Sequence, residues 1–105
     1  MNIYDFFFGP NINEEMKKVR KVENAILLDV RSMGEFYEGK IPGSINLPYK
    51  DISKIESIIS NKSAPIFVYC MNGTNGRKAA KVLKKMGYMN VKNIGGLQSY
   101  IGLLK

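Results

Sequence analysis

The segment Val68-Tyr69-Cys70-Met71-Asn72-Gly73-Thr74-Asn75-Gly76-Arg77 carries the residues whose types and spacing best suit chemistry. An apolar run that predicts a buried strand ends at the only cysteine, a loop with two glycines follows, and a helical pattern begins. Open α/β sheets bind their ligands beyond the carboxyl ends of strands, and Cys70 occupies such a place. Gly73 and Gly76 let successive backbone N–H groups converge on one point, as in an anion-binding nest. The helix start adds partial positive charge there, and Arg77 and Lys78 add full charges as electrostatic support. Together these features favour a thiolate at Cys70, a nucleophile that needs no histidine to activate it. A buried, inert structural cysteine accounts for the spacing equally well.

Composition narrows the chemistry. No histidine is present, which excludes Ser-His-Asp and Cys-His machinery and any His-ligated metal. A lone cysteine excludes an internal disulfide and a thiolate zinc site, so no metal and no cofactor are expected. With 16 Lys and Arg against 9 Asp and Glu, the formal charge is +7. That charge suits small anionic substrates, nucleic acid or a membrane surface. The lysines spread along the chain, with a local cluster on the outer face of one predicted helix and no interleaved aromatics, so nucleic acid is not expected as a partner. No stretch approaches the roughly 20 apolar residues of a membrane span, and no membrane partner is expected. The first ten residues have no basic start, and their apolar part is short for a signal peptide. A cytoplasmic location follows as the expectation, where a lone thiol stays reduced.

At 105 residues the chain is expected to form a single domain over 1–105, with an N-terminal arm at 1–11. Hydrophobic periodicity predicts alternating strands and helices. Helices are expected over Asn13–Val22, at a short turn in Gly34–Gly39, over Asp51–Ser60 with Ile52, Ile55, Ile58 and Ile59 on one face, and over Gly76–Met86. A terminal helix is expected to carry Leu97, Tyr100, Ile101 and Leu104. Strands are expected over Ala25–Val30, Ile45–Leu47, Ile66–Tyr69 and Val91–Ile94. This alternation implies a mostly parallel sheet covered on both faces. Phe6, Phe7 and Phe8 cannot all face one way; an arm laid over the domain's own core is favoured over a dimer or partner contact.

A second segment identifies the pattern. Leu27-Leu28-Asp29-Val30-Arg31 ends a strand, Glu35-Phe36 opens a short helix, and Gly39-Lys40-Ile41-Pro42-Gly43-Ser44-Ile45-Asn46-Leu47-Pro48 follows. This resembles the first signature of the rhodanese family. Tyr69-Cys70-x-x-Gly73 is similar to the family's cysteine loop, Lys78-Ala79-Ala80 through Gly87-Tyr88 to the helix and strand behind it, and Gly95-Gly96-Leu97-x-x-Tyr100 to the closing motif, with Tyr in place of Trp. The resemblance implies a rhodanese-like α/β fold: a central, mostly parallel five-stranded sheet with helices on both faces.

It also implies a sulfurtransferase. Cys70 would attack a sulfane sulfur donor, become a persulfide and pass the sulfur to a thiol or cyanide acceptor. Met71, Asn72, Gly73, Thr74, Asn75 and Gly76 would form the substrate-binding loop, their N–H groups stabilising the persulfide anion. The donor would be thiosulfate, a low-molecular-weight persulfide or a protein persulfide, and a sulfur-relay protein is a further candidate partner. Asp29, Arg31 and Glu35 are expected to give structural support: Asp29 accepting backbone N–H bonds, Arg31 pairing with Glu35. Many single-domain members read C-x-x-G-x-R-S, whereas Asn75 and Gly76 follow Thr74 here, so the loop arginine is lost. Two other classes compete. A cysteine-dependent phosphatase or arsenate reductase wants an arginine six residues after the cysteine, and Gly76 stands there. A rhodanese-like interaction or sulfur-relay module with weak turnover is the alternative. Physiological donor, acceptor and oligomeric state are left open by the sequence.

Overall fold

Asn11 starts the first described helix by accepting hydrogen bonds at its side-chain oxygen from the N–H groups of Asn13 and Glu14. The computed structural model describes residues 9–105, so the expectation for Phe6, Phe7 and Phe8 lies outside the described residues. Helix α1 (Ile12–Val19) buries Ile12, Met16 and Val19 on one face. Strand β1 (Ile26–Asp29) follows, then helix α2 (Met33–Glu38), strand β2 (Ile45–Asn46) and a 3-10 helix (Tyr49–Ser57). Strand β3 (Ile66–Cys70), helix α3 (Thr74–Lys85), strand β4 (Val91–Gly96) and a 3-10 turn (Leu97–Ser99) complete the order.

The strands form one parallel sheet in the order β2-β1-β3-β4. Among the described residues the sheet has four strands, not the expected five. The four runs expected to form strands, Ala25–Val30, Ile45–Leu47, Ile66–Tyr69 and Val91–Ile94, each hold one of these strands, and no fifth run was expected within residues 9–105. Side chains alternate across β3 with a period of two. Ile66, Val68 and Cys70 face a core shared with α3 and the 3-10 helix, while Tyr69 faces a second core built on α1. A parallel sheet needs both faces covered, and this division supplies it.

Three expected elements differ. Helix α1 stops at Val19, and Val22 is exposed rather than part of its buried face. The helix expected over Asp51–Ser60 is a 3-10 helix that ends at Ser57; Ile52, Ile55 and Ile59 are buried, and Ile58 is exposed. The N–H groups of Ile58 and Ile59 both bond to the Ile55 carbonyl, and this closing turn carries Ile59 inward in place of Ile58. The terminal helix is reduced to the turn Leu97–Ser99, with Ile101 and Leu104 exposed. Asn13 holds the chain there in a non-helical path, its side chain donating to the Ser99 carbonyl and accepting from the Ile101 N–H.

Tyr69 ties the second core to the loop before β2. It is fully buried, its hydroxyl accepts from the Ile41 N–H at 3.2 Å and donates to Ser44 Oγ at 3.0 Å. Burial pushes its hydroxyl up to about 12, with the Asp29 charge adding to the rise and the Ser44 and Ile41 hydrogen bonds opposing it. A raised value in the folded state means stability that is whole below the ordinary tyrosine value of about 10 and is lost as pH climbs through about 12. Urea unfolding should therefore show the protein losing about 2–3 kcal/mol over that window beyond what Tyr69→Phe loses. Equal alkaline losses in both proteins would reject this role.

Candidate active site

Cys70 is the last residue of β3, and its thiol lies at the floor of a cleft of about 700 Å3 at the carboxyl end of the sheet. Only 3% of the residue is exposed, and the cleft gives a reagent a path to it. Val30, Arg31, Ser32, Met33 and Glu35 form one wall, and Asn46, Pro48, Tyr49, Lys50 and Asp51 form the other. Met71, Asn72 and Asn75 line it beside the thiol.

The loop after β3 wraps the sulfur with backbone donors. The Gly73 N–H reaches Cys70 Sγ at 2.9 Å and the Gly76 N–H at 3.2 Å. Gly73 precedes α3 with φ of 91°, a left-handed conformation that a side chain would strain. That turn is what swings the first N–H groups of the helix back onto the cysteine. Asn72 stabilises it by accepting the Thr74 N–H at its side-chain oxygen, 3.0 Å away. The two N–H donors at the α3 N-terminus stabilise negative charge on the sulfur without providing a proton.

The sequence-derived candidates separate into groups. Cys70, Met71, Asn72 and Asn75 stand at the cleft surface, Gly73 and Gly76 act through their backbone, and Thr74 is exposed at the loop's outer turn. Arg77 and Lys78 are exposed on α3 and do not line the cleft. Arg31 pairs with Asp29, not with Glu35 as expected. Its Nη2 lies 2.7 Å from Asp29 Oδ2, its Nε about 3 Å from both carboxylate oxygens, and its backbone N–H donates to the same carboxylate. Burial alone would lower the Arg31 guanidinium, but the hydrogen bond to Asp29 and its charge outweigh that and raise it. Glu35 is engaged elsewhere: it accepts from the Ser32 backbone N–H and hydroxyl while Ser32 accepts the Glu35 N–H, a closed capping box at the start of α2.

Sequence reasoning missed the far wall. Asn46 donates from one amide to the carbonyls of Asp29 and Arg31, joining the loop after β1 to β2. Tyr49, Lys50 and Asp51 reach the cleft because the chain leaves β2 at the same end of the sheet as Cys70. Their position after the carboxyl end of a strand was the available signal.

A relative named thiosulfate sulfurtransferase PspE, from Escherichia coli (strain K12), is 33% identical over 72 residues, covering 68% of this chain and 69% of its own. A putative sulfur carrier protein, YrkF of Bacillus subtilis (strain 168), is 30% identical over 87 residues; they make up 82% of this chain but 46% of the relative, so this chain corresponds to about half of it. Among solved structures, a rhodanese with anions from E. coli superimposes with a TM-score of 0.71 at 29% identity, covering 77% of this chain and 96% of that one. With residues 13–102 matching the family described as rhodanese-like domain, and a parallel sheet that delivers a cysteine to its carboxyl end, the chain belongs to the rhodanese-like domain family.

Proposed function

We propose that the protein is a sulfurtransferase that carries sulfane sulfur as a persulfide on Cys70. The observation that carries this reading is the pair of backbone N–H groups, from Gly73 and Gly76, on a thiol at the floor of an open cleft. The Cys70 thiolate attacks the outer sulfur of a donor, and the donor's own bond to that sulfur breaks. Thiosulfate would leave as sulfite, a persulfide as a thiolate. The outer sulfur then sits on Cys70 as an anion, held by fixed dipoles that need not reorganise. An acceptor thiolate or cyanide attacks it, and the Cys70 thiolate leaves. Electrons balance without an external oxidant. The relatives bearing sulfurtransferase and sulfur-carrier names support the same class of reaction. A cytoplasmic setting suits a lone thiol that must stay reduced.

A relay protein with weak intrinsic turnover is the second reading, favoured by Asn75 at the cleft surface. An arginine at that position would grip a sulfonate with directed, charge-assisted hydrogen bonds, whereas an amide offers a neutral donor. Intact mass after exposure to each donor tests both readings. A low-molecular-weight persulfide should add one sulfur atom per chain, removable by reductant and blocked by prior alkylation of Cys70. Thiosulfate should load poorly, and Asn75→Arg should lower its KM by roughly 10-fold or more while changing the persulfide donor little. Absence of any sulfur adduct with either donor would sink the sulfur-carrier proposal. Equal effects of Asn75→Arg on both donors would show that residue 75 does not contact the substrate.

A further inference from the structure

Helix α3, which begins at the sulfur-binding loop, carries five basic residues and no acidic one: Arg77, Lys78, Lys81, Lys84 and Lys85. All five are exposed. At 3.6 residues per turn they fall within about 120° of arc, opposite the face that buries Ala79, Ala80 and Leu83. Among the described residues none of them forms an ion pair. The acids of the neighbouring 3-10 helix are already used, Asp51 by Lys54 and Glu56 by Lys62. The helix is about 18 Å long, and its basic face is therefore an unneutralised strip running outward from the rim of the cleft.

We propose that this strip is the docking surface for an acidic protein that receives sulfur from Cys70. The proposal rests on the persulfide reading above and names the acceptor's chemistry. A strip of one sign beside a reacting group raises the encounter rate of an oppositely charged partner and fixes its orientation. The rim supplies apolar contact as well, since Met33 and Met71 line the cleft and are 61% and 40% exposed. Nucleic acid fits less well. The helix has no aromatic side chain on which bases could stack. In the transfer the acceptor's cysteine thiolate attacks the outer sulfur of the Cys70 persulfide, the S–S bond to Cys70 breaks, and the Cys70 thiolate is released.

The test loads Cys70 with sulfur and follows its transfer to three thiols: dithiothreitol, a short peptide with one cysteine flanked by glutamates, and the same peptide with glutamines. The acidic peptide should accept sulfur about 10-fold faster than the neutral one at low ionic strength, and the advantage should shrink to near unity at about 0.5 M salt. The triple variant Lys81→Glu/Lys84→Glu/Lys85→Glu should lose that advantage and keep the wild-type rate with dithiothreitol. Wild-type transfer to dithiothreitol with no preference between peptides would overturn the docking proposal while leaving the persulfide reading intact. Failure of transfer to every thiol would remove both. A single-stranded RNA oligonucleotide that binds the wild type more tightly than the acidic peptide, and is lost in the triple variant, would assign the strip to nucleic acid and overturn the proposal as well.

Discussion

Asp29→Ala should destabilise the protein by about 3–5 kcal/mol, read as a fall in the urea midpoint at neutral pH. Asp29 is fully buried and Arg31 is 6% exposed. Four donor contacts from Arg31 converge on one carboxylate, and Arg31 Nη2 also donates to the Gly39 carbonyl. Removing the carboxylate leaves a buried guanidinium whose charge has lost its counter-ion. Desolvation of that charge dominates the cost, because the geometry that compensated it is gone. Asp29→Asn should cost less, since it keeps an acceptor oxygen for the Arg31 backbone N–H. Removing both charges together, as in Asp29→Leu/Arg31→Met, should cost less than Asp29→Ala alone, because no buried charge remains unpaired. A loss below about 1 kcal/mol for Asp29→Ala would mean that water reaches the guanidinium and that the pair does not hold this wall of the cleft.

The same pair shows what a sequence can and cannot display. The Asp29-Val30-Arg31 motif at a strand end was legible as structural. The partner was not, because Arg31 and Glu35 have a helix-like spacing that suggests an ion pair. Ser32 three residues before Glu35 is the pattern of a capping box, and it binds Glu35 to the start of α2. The two central strands were legible for a simple reason: Ile26–Asp29 and Ile66–Cys70 are covered on both faces and read as nearly unbroken apolar runs, whereas the edge strand Val91–Gly96 carries Lys92 and Asn93 and offers a weaker signal.

Helix type was harder. Ile52 and Ile55 are three apart, a spacing that both helix types accept, and only the stop at Ser57 decides which of Ile58 and Ile59 turns inward. The chain end after Ser99 is set by the side chain of Asn13, 86 residues away in sequence, and no local pattern can report such a contact. Cys70 and its loop were legible because their chemistry is local: one strand end, two glycines and one helix start. The opposite wall, from Asn46 to Asp51, depends on how β2 lies against β1, which is tertiary information.

Gly76→Ala should cut sulfur transfer by at least about 10-fold and by no more than the roughly 10^2–10^3-fold seen when one preorganised donor to a developing anion is removed outright. Gly76 lies in the first turn of α3 and needs no unusual backbone conformation, so the constraint on it is one of space. A Cβ there would stand 2.6 Å from Asn93 Oδ1 and 3.6 Å from Cys70 Sγ. Asn93 Oδ1 is not free to swing away at no cost, because it accepts the Gly95 N–H at 3.2 Å. Relief therefore comes in part from moving the first turn of α3, and that turn carries the Gly76 N–H that reaches Cys70 Sγ. Hydrogen bonds weaken steeply once alignment is lost, so a turn that tilts this N–H away from Cys70 Sγ weakens the stabilisation of the sulfur anion. Stability responds differently: alanine is the better helix former by about 1 kcal/mol, which offsets part of the strain. The defect should thus appear in the rate of transfer, with a much smaller change in the urea midpoint. Asn93→Ala removes the obstructing oxygen, and in the Gly76→Ala/Asn93→Ala double variant it should restore a substantial part of the lost rate. Single-turnover transfer to dithiothreitol from the persulfide-loaded proteins is the measurement. A full rate in Gly76→Ala would show that this N–H does not stabilise the reacting sulfur. A defect that Asn93→Ala leaves unrelieved would place its cause in the methyl group's contact with Cys70 itself.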